Sequence, residues 1–182
     1  MKKNSVLKQA LSILGTHIII SIAFLVIFMG LMSFAEKNPT LNVIATVIVC
    51  FIYFFIIFTN AYDCATSDLK SFSVLKPYAL KGAVLSLGIV ILMIAVWIWH
   101  GVAWQVSGNV NGQTVAANIG CLIMSAPFSS LVNIKGAEVS FYGQAASVAI
   151  PLVSCIVGYY CGYRKWDYTK YLARFVYEKK KK

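Results

Sequence analysis

Charge is what this sequence has least of. Of 182 residues, 16 are Lys or Arg and 6 are Asp or Glu, together 12%, about half the roughly 25% found in a soluble domain. That supply cannot clothe a water-facing surface around a chain that is 59% hydrophobic. The shortage is also uneven. Residues 9–35, 38–62, 82–134 and 139–163 contain no Asp, Glu, Lys or Arg. Other absences narrow the chemistry. There is no CxxC pair, phosphate loop, nucleophile elbow, zinc motif, dinucleotide fingerprint or long repeat. No carboxylate falls inside the charge-free windows, so a proton relay of the usual carboxylate kind is not expected there. These absences predict a chain that is not an enzyme, with no catalytic residue, no cofactor and no metal site.

What is present is membrane-spanning length. A helix crossing a bilayer needs about 20 mostly apolar residues. Three of the windows hold one such helix each, and 82–134 is long enough for two. The pattern predicts an all-α, polytopic integral membrane protein, a single membrane domain over 1–182. Its spans are expected near 10–34, 41–62, 82–104 and 144–163, with an outer loop at 105–143 and a cytoplasmic tail at 164–182.

The net charge of +10 raises the question of nucleic acid, and its placement argues against it. Lys2, Lys3 and Lys8 precede the first span; Lys70, Lys76 and Lys81 lie between the second and third. Arg164, Lys165, Lys170, Arg174 and the four lysines from Lys179 to Lys182 follow the fourth. Only Lys37 and Lys135 fall on the opposite side. This positive-inside pattern places both termini in the cytoplasm, in a cell membrane of bacterial character, with anionic headgroups as the partner of the basic side.

The stretch 107–135 is polar at its ends and apolar in the middle. A fifth span there would put the basic tail outside, against the charge rule. Asn118, Ser125, Pro127, Ser129, Ser130 and Asn133 interrupt it, and Pro127 removes a backbone donor. Two short helical pieces are predicted on the outer side, lying on the membrane or dipping into it. Ser125 is expected to cap the second piece, and Asn111-Gly112 reads as a hairpin-like turn. The first helix follows MKK and precedes Ser33-Phe34-Ala35, the outline of a secretory signal. Its apolar run, 10–34, exceeds the roughly 7–15 residues of a signal core, so an uncleaved span is expected.

Several residues are candidates for more than packing. His17, beside Thr16, is an ionisable side chain inside a span, a polar site by default, or a neutral imidazole bonded between helices. Asp63 and Asp68 are five apart, on different helix faces, and Lys70, Lys76 and Lys81 are near enough in sequence to neutralise them at the membrane surface. Trp97, Trp99 and Trp104 with His100 read as an outer aromatic belt. Ser154, Gly158 and Gly162 form a small-xxx-small ladder that lets another helix approach closely, within the chain or in a dimer. Cys50, Cys64, Cys121, Cys155 and Cys161 read as small packing residues. In the tail, Tyr168, Tyr171, Leu172, Phe175 and Val176 line one face of an amphipathic helix with basic residues opposite.

Three functions fit. The first is a non-catalytic membrane subunit packing against itself or a partner along the glycine ladder. The alternative is a small transporter or channel whose outer segment is re-entrant. A lipid-modifying enzyme has least support, since Asp63, Asp68 and His17 are not brought together by sequence.

Overall fold

A computed structural model of the chain describes residues 5–35, 39–70, 73, 75–132 and 139–166. Those residues are all-helical. In chain order the elements are α1 (Val6–Ala35), α2 (Pro39–Asp68), α3 (Lys81–Ser107), α4 (Gly112–Met124), a 3-10 turn (Ala126–Phe128), α5 (Ser129–Val132) and α6 (Phe141–Tyr163). Four helices are long and apolar enough to cross a membrane, with the apolar spans at Val6–Ile27, Val43–Asp68, Lys81–Ser107 and Phe141–Tyr163. The second of these runs past the expected end at 62 and takes in both Asp63 and Asp68. The predicted tail helix lies outside the described residues, apart from Arg164, Lys165 and Trp166.

α6 sits at the centre, with long packed seams against α2 on one side and α3 on the other, while α1 closes the bundle against α2 and α3. Small residues permit the tightest seams. A side chain at Gly158 would collide with the Phe58 backbone, and one at Gly162 would stand 2.7 Å from the Tyr62 carbonyl oxygen. The ladder predicted from sequence is therefore occupied by α2 of the same chain, and a dimer seam cannot use it. Gly82 plays the same part for α3, whose start presses on the α6 backbone at Cys155 and Ile156. Pro151 is buried within α6, which continues through it. α3 ends on Gly108, whose φ of 62° is the left-handed conformation that closes a helix. The surfaces left exposed are apolar, as on α2 at Val43, Val47 and Phe51, and suit lipid.

The segment between α3 and α6 packs into the bundle. α4 has 13 residues, about 20 Å at 1.5 Å per residue, too short to span. It descends into the bundle and ends in a buried turn, where Ala126, Pro127 and Phe128 are all enclosed. α5 then leads back, and its residues 131 and 132 are covered by Gly143 at the start of α6, where any side chain would strike their backbone. Two local expectations are corrected. Asn111 is the N-cap of α4 and not part of a hairpin. Its side chain accepts from the Gln113 and Thr114 backbone N–H groups, and Thr114 Oγ1 accepts from the Asn111 N–H in return. Ser125 closes α4 instead of opening the next helix: its hydroxyl turns back to the Cys121 carbonyl.

Candidate functional site

Two polar clusters lie inside the bundle, one above the other. The lower one is at the end that carries Lys8, Lys76 and Arg164, here the basic end. Asp68 is the last residue of α2 and Lys81 the first of α3, so the connecting loop brings them side by side. Lys81 Nζ lies 2.5 Å from Asp68 Oδ2, and both side chains are essentially fully buried. Tyr159 of α6 donates to the same oxygen at 2.8 Å. Gln9 of α1 donates from Nε2 to Asp68 Oδ1 at 2.8 Å. The Lys81 ammonium also stands 5.8 Å from the centre of the Tyr159 ring, a cation–π distance. One carboxylate thus ties together all four spanning helices.

The helix dipoles do not explain this placement. A helix C-terminus disfavours an acid and an N-terminus disfavours a base, yet Asp68 ends α2 and Lys81 begins α3. Each charge is held by the other and by the hydrogen bonds around it. Removing one partner of such a buried pair typically costs about 3–5 kcal/mol, because an uncompensated charge stays behind. The expected neutralisation of Asp68 by Lys81 is met, but inside the bundle, and the expectation that no carboxylate lies in a span-length apolar helix is corrected. Asp63, by contrast, is exposed on another face of α2. Gln9 retains one unsatisfied atom. Its Oε1 is buried without a partner. Turning the amide over would aim this oxygen at the carboxylate, so the orientation is dictated by Asp68.

The upper cluster begins two turns along α1. His17 is fully buried, and its Nδ1 lies 2.8 Å from Tyr53 Oη of α2. Its Nε2 has no partner. Thr16 donates to the Ser12 carbonyl and receives the Asn60 amide N–H at 2.6 Å, a second tie between α1 and α2. The outer segment arrives at this level. Phe128 packs edge-on against Tyr53 with ring centres 5.0 Å apart. Ser21 donates to the Met124 carbonyl at 3.3 Å, and the Cys50 thiol donates weakly to the Pro127 carbonyl at 3.5 Å. From Gln9 to His17 and Ser21 the rise along α1 is about 12 and 18 Å. At that level the turn is enclosed by the long helices, and the Met124 and Pro127 carbonyls are met by side chains of α1 and α2. Between the two clusters lies an apolar layer of fully buried Ile13, Ile57, Leu85 and Ile89.

The half of the bundle away from the basic end has its own polar tie. Asn118 Oδ1 accepts from Trp104 Nε1 at 3.1 Å and sits 2.8 Å from His100 Nε2. A carboxamide oxygen only accepts, so His100 carries its proton on Nε2. Trp97 donates to Ser147 of α6, and Gly120 of α4 makes room for the Trp99 ring. Two of the three expected belt tryptophans thus spend their N–H groups inside the protein, and only Trp99 is exposed.

Of the residues singled out from sequence, His17 and Thr16 fall in the upper cluster through different partners. Ser154 is buried and bonds back to Ile150 of its own helix, while Gly158 and Gly162 line the α2 seam. Gln9, Tyr53, Asn60, Phe128 and Tyr159 were missed. Each is an isolated polar or aromatic residue in an apolar run, which carries no distinct pattern. Among the described residues the cysteines are free, and no group of three His, Cys, Asp or Glu is placed to hold a metal. The chain matches no protein-family model, no curated protein and no solved structure, so its function has to be argued from this geometry alone.

Proposed function

We propose that the chain is a small membrane transporter or channel whose outer half is closed by the re-entrant segment and whose basic end is closed by the Asp68–Lys81 pair. The observation that carries this is the Ala126–Phe128 turn, buried among the long apolar helices with Phe128 against Tyr53, the partner of His17, which this reading puts at mid-membrane depth. Non-helical backbone at that depth is tolerated only where protein or a water-filled cavity covers it, a feature of pores and transporters. The second support is the buried ionisable pair, since charged groups inside a membrane bundle mark ion and proton paths more often than scaffolding. The competing subunit reading rested on a free glycine ladder and on uncharged spans. The ladder is covered by α2, and Asp68 and Lys81 are buried in the bundle.

In this reading the chain catalyses no covalent chemistry and binds no nucleic acid. It sits in a bacterial cytoplasmic membrane with both termini on the cytoplasmic side, where its lysines meet anionic headgroups. The apolar layer at Ile13, Ile57, Leu85 and Ile89 separates the two closed ends and is what must hydrate or shift for passage.

Purified protein in liposomes tests this directly. With a pH-sensitive dye or a sodium-sensitive dye inside, the wild type or Phe128→Ala should dissipate an imposed gradient faster than protein-free vesicles. Phe128→Ala should be the faster of the two, because it removes the side chain that stops the outer segment on Tyr53. Equal traces for wild type, variant and empty vesicles would remove the transport reading and leave the packing subunit.

A further inference from the structure

The Gln9–Asp68–Tyr159 end of the bundle holds more oxygen than Lys81 uses. Asp68 offers two carboxylate oxygens, Tyr159 a phenolic oxygen and Gln9 a carbonyl oxygen, from three different helices. Gln9 is only 7% exposed, and its Oε1 has no partner. Lys81 is the one cation among them. It is the first residue of α3, at the end of the loop, and its charge sits where the helix dipole opposes it. A four-carbon stem at that position can carry the ammonium out to the aqueous face at the basic end. Asp68, Gln9 and Tyr159 have no such freedom, being held on packed helices.

We propose that this cluster is a binding site for one alkali cation, sodium in the first instance, which takes the place of the Lys81 ammonium on Asp68. The inference rests on the transport reading and names the ion for it. Hard oxygen ligands of this kind suit group I and II cations. A single buried carboxylate selects a single charge: a monovalent cation leaves the site neutral, whereas a divalent one strands a positive charge in low dielectric. Turning the Gln9 amide over as the ammonium leaves would aim Oε1 at the cation and give that oxygen the partner it lacks. The Lys81 side chain and the cation compete for the same oxygens, so the site is filled by one or the other. That exchange couples occupancy of the site to opening of the basic end.

Thermal unfolding in detergent, followed by tryptophan fluorescence, reads the competition. Sodium chloride is titrated against choline chloride at constant ionic strength, at pH 7.5 and again at pH 5.5. The wild-type midpoint should rise by about 3–4 °C at saturating sodium and stay level in choline. Lys81→Met leaves Asp68 without its cation. It should be strongly destabilised in choline and recover in sodium, with half-saturation at about tenfold lower concentration than wild type. Gln9→Met keeps the volume but removes both Oε1 and the Nε2 donor to Asp68, so its midpoint in choline should fall, and the rise from choline to sodium should shrink relative to wild type. Should Lys81→Met fail to fold in any salt, the comparison of wild type with Gln9→Met still decides. A wild-type midpoint equal in sodium and choline overturns the proposal. So does a Lys81→Met protein rescued by acid alike in both salts, which would mean Asp68 takes only a proton. Sodium binding without sodium flux in liposomes would sink the transport reading and leave the site; proton flux without a sodium response would do the reverse.

Discussion

Asp68 and Lys81 are thirteen residues apart, at facing ends of α2 and α3, and their side chains meet at 2.5 Å inside the bundle. Neither charge is at the helix end that favours it. Their pairing, with Gln9 and Tyr159 completing the carboxylate's hydrogen bonds, is the strongest electrostatic constraint on how the four spans are arranged.

That constraint predicts a specific stability pattern. In sodium-free choline buffer, Lys81→Met should lose about 3–5 kcal/mol, since Asp68 remains buried and unpaired. Adding Asp68→Leu to it should restore most of the loss, because no charge is then stranded and the hydrophobic pair packs in its place. Unfolding midpoints of the single and double variants are the measurement. A double variant no more stable than Lys81→Met would mean the pair is not a coupled buried unit.

The α2–α6 seam gives a second test with its own control. Gly158→Ala places a methyl against the Phe58 backbone, which cannot swing aside, and overpacking of this kind costs about 1–3 kcal/mol. Gly15→Ala, with nothing within 4 Å of the added carbon, should be neutral or stabilising by up to about 1 kcal/mol from helix propensity. Oligomer size on gel filtration should be the same for both variants and wild type, since α2 of the same chain covers the ladder. If Gly158→Ala matches Gly15→Ala in stability, or if it splits an oligomer, the seam is assigned to the wrong helices.

Topology is the third. In a cysteine-free background, Gln113→Cys and Lys76→Cys are both exposed positions at opposite ends of the bundle and should react with an impermeant thiol reagent from opposite sides of the membrane. Ala126→Cys, buried in the wild type and leaving Phe128 in place, should react from neither side in the closed protein. Labelling of Gln113→Cys and Lys76→Cys from the same side would end the four-span description. Free labelling of Ala126→Cys would place the turn at the surface.

Much of the architecture was legible in the chain, because it depends on local quantities. Charge-free windows of spanning length set four helices by the cost of unsatisfied backbone in hydrocarbon, and that cost does not depend on which helix lies beside which. The broken character of 107–135 was legible too, since Pro127 interrupts a helix in any surroundings. Its local signals were ambiguous. Asn-Gly serves both a hairpin turn and a helix start, and at Asn111 the reciprocal bonds with Thr114 select the start. A serine before a proline can open one helix or close another, and at Ser125 it closes.

Only the tertiary structure decided the rest. Whether 114–132 packs into the bundle depends on a space between α1, α2 and α6 shaped to take Phe128, and no pattern within the segment describes that space. The burial of Asp68 depends on α2 running to its full length and on Lys81, Gln9 and Tyr159 arriving from three other helices. A small-residue ladder announces a close approach, but Phe58 and Tyr62 name its partner only once α2 lies against α6. Hydropathy and charge sum along the chain and could be read from it; packing and pairing are relations between segments, and the assembled bundle alone determined them.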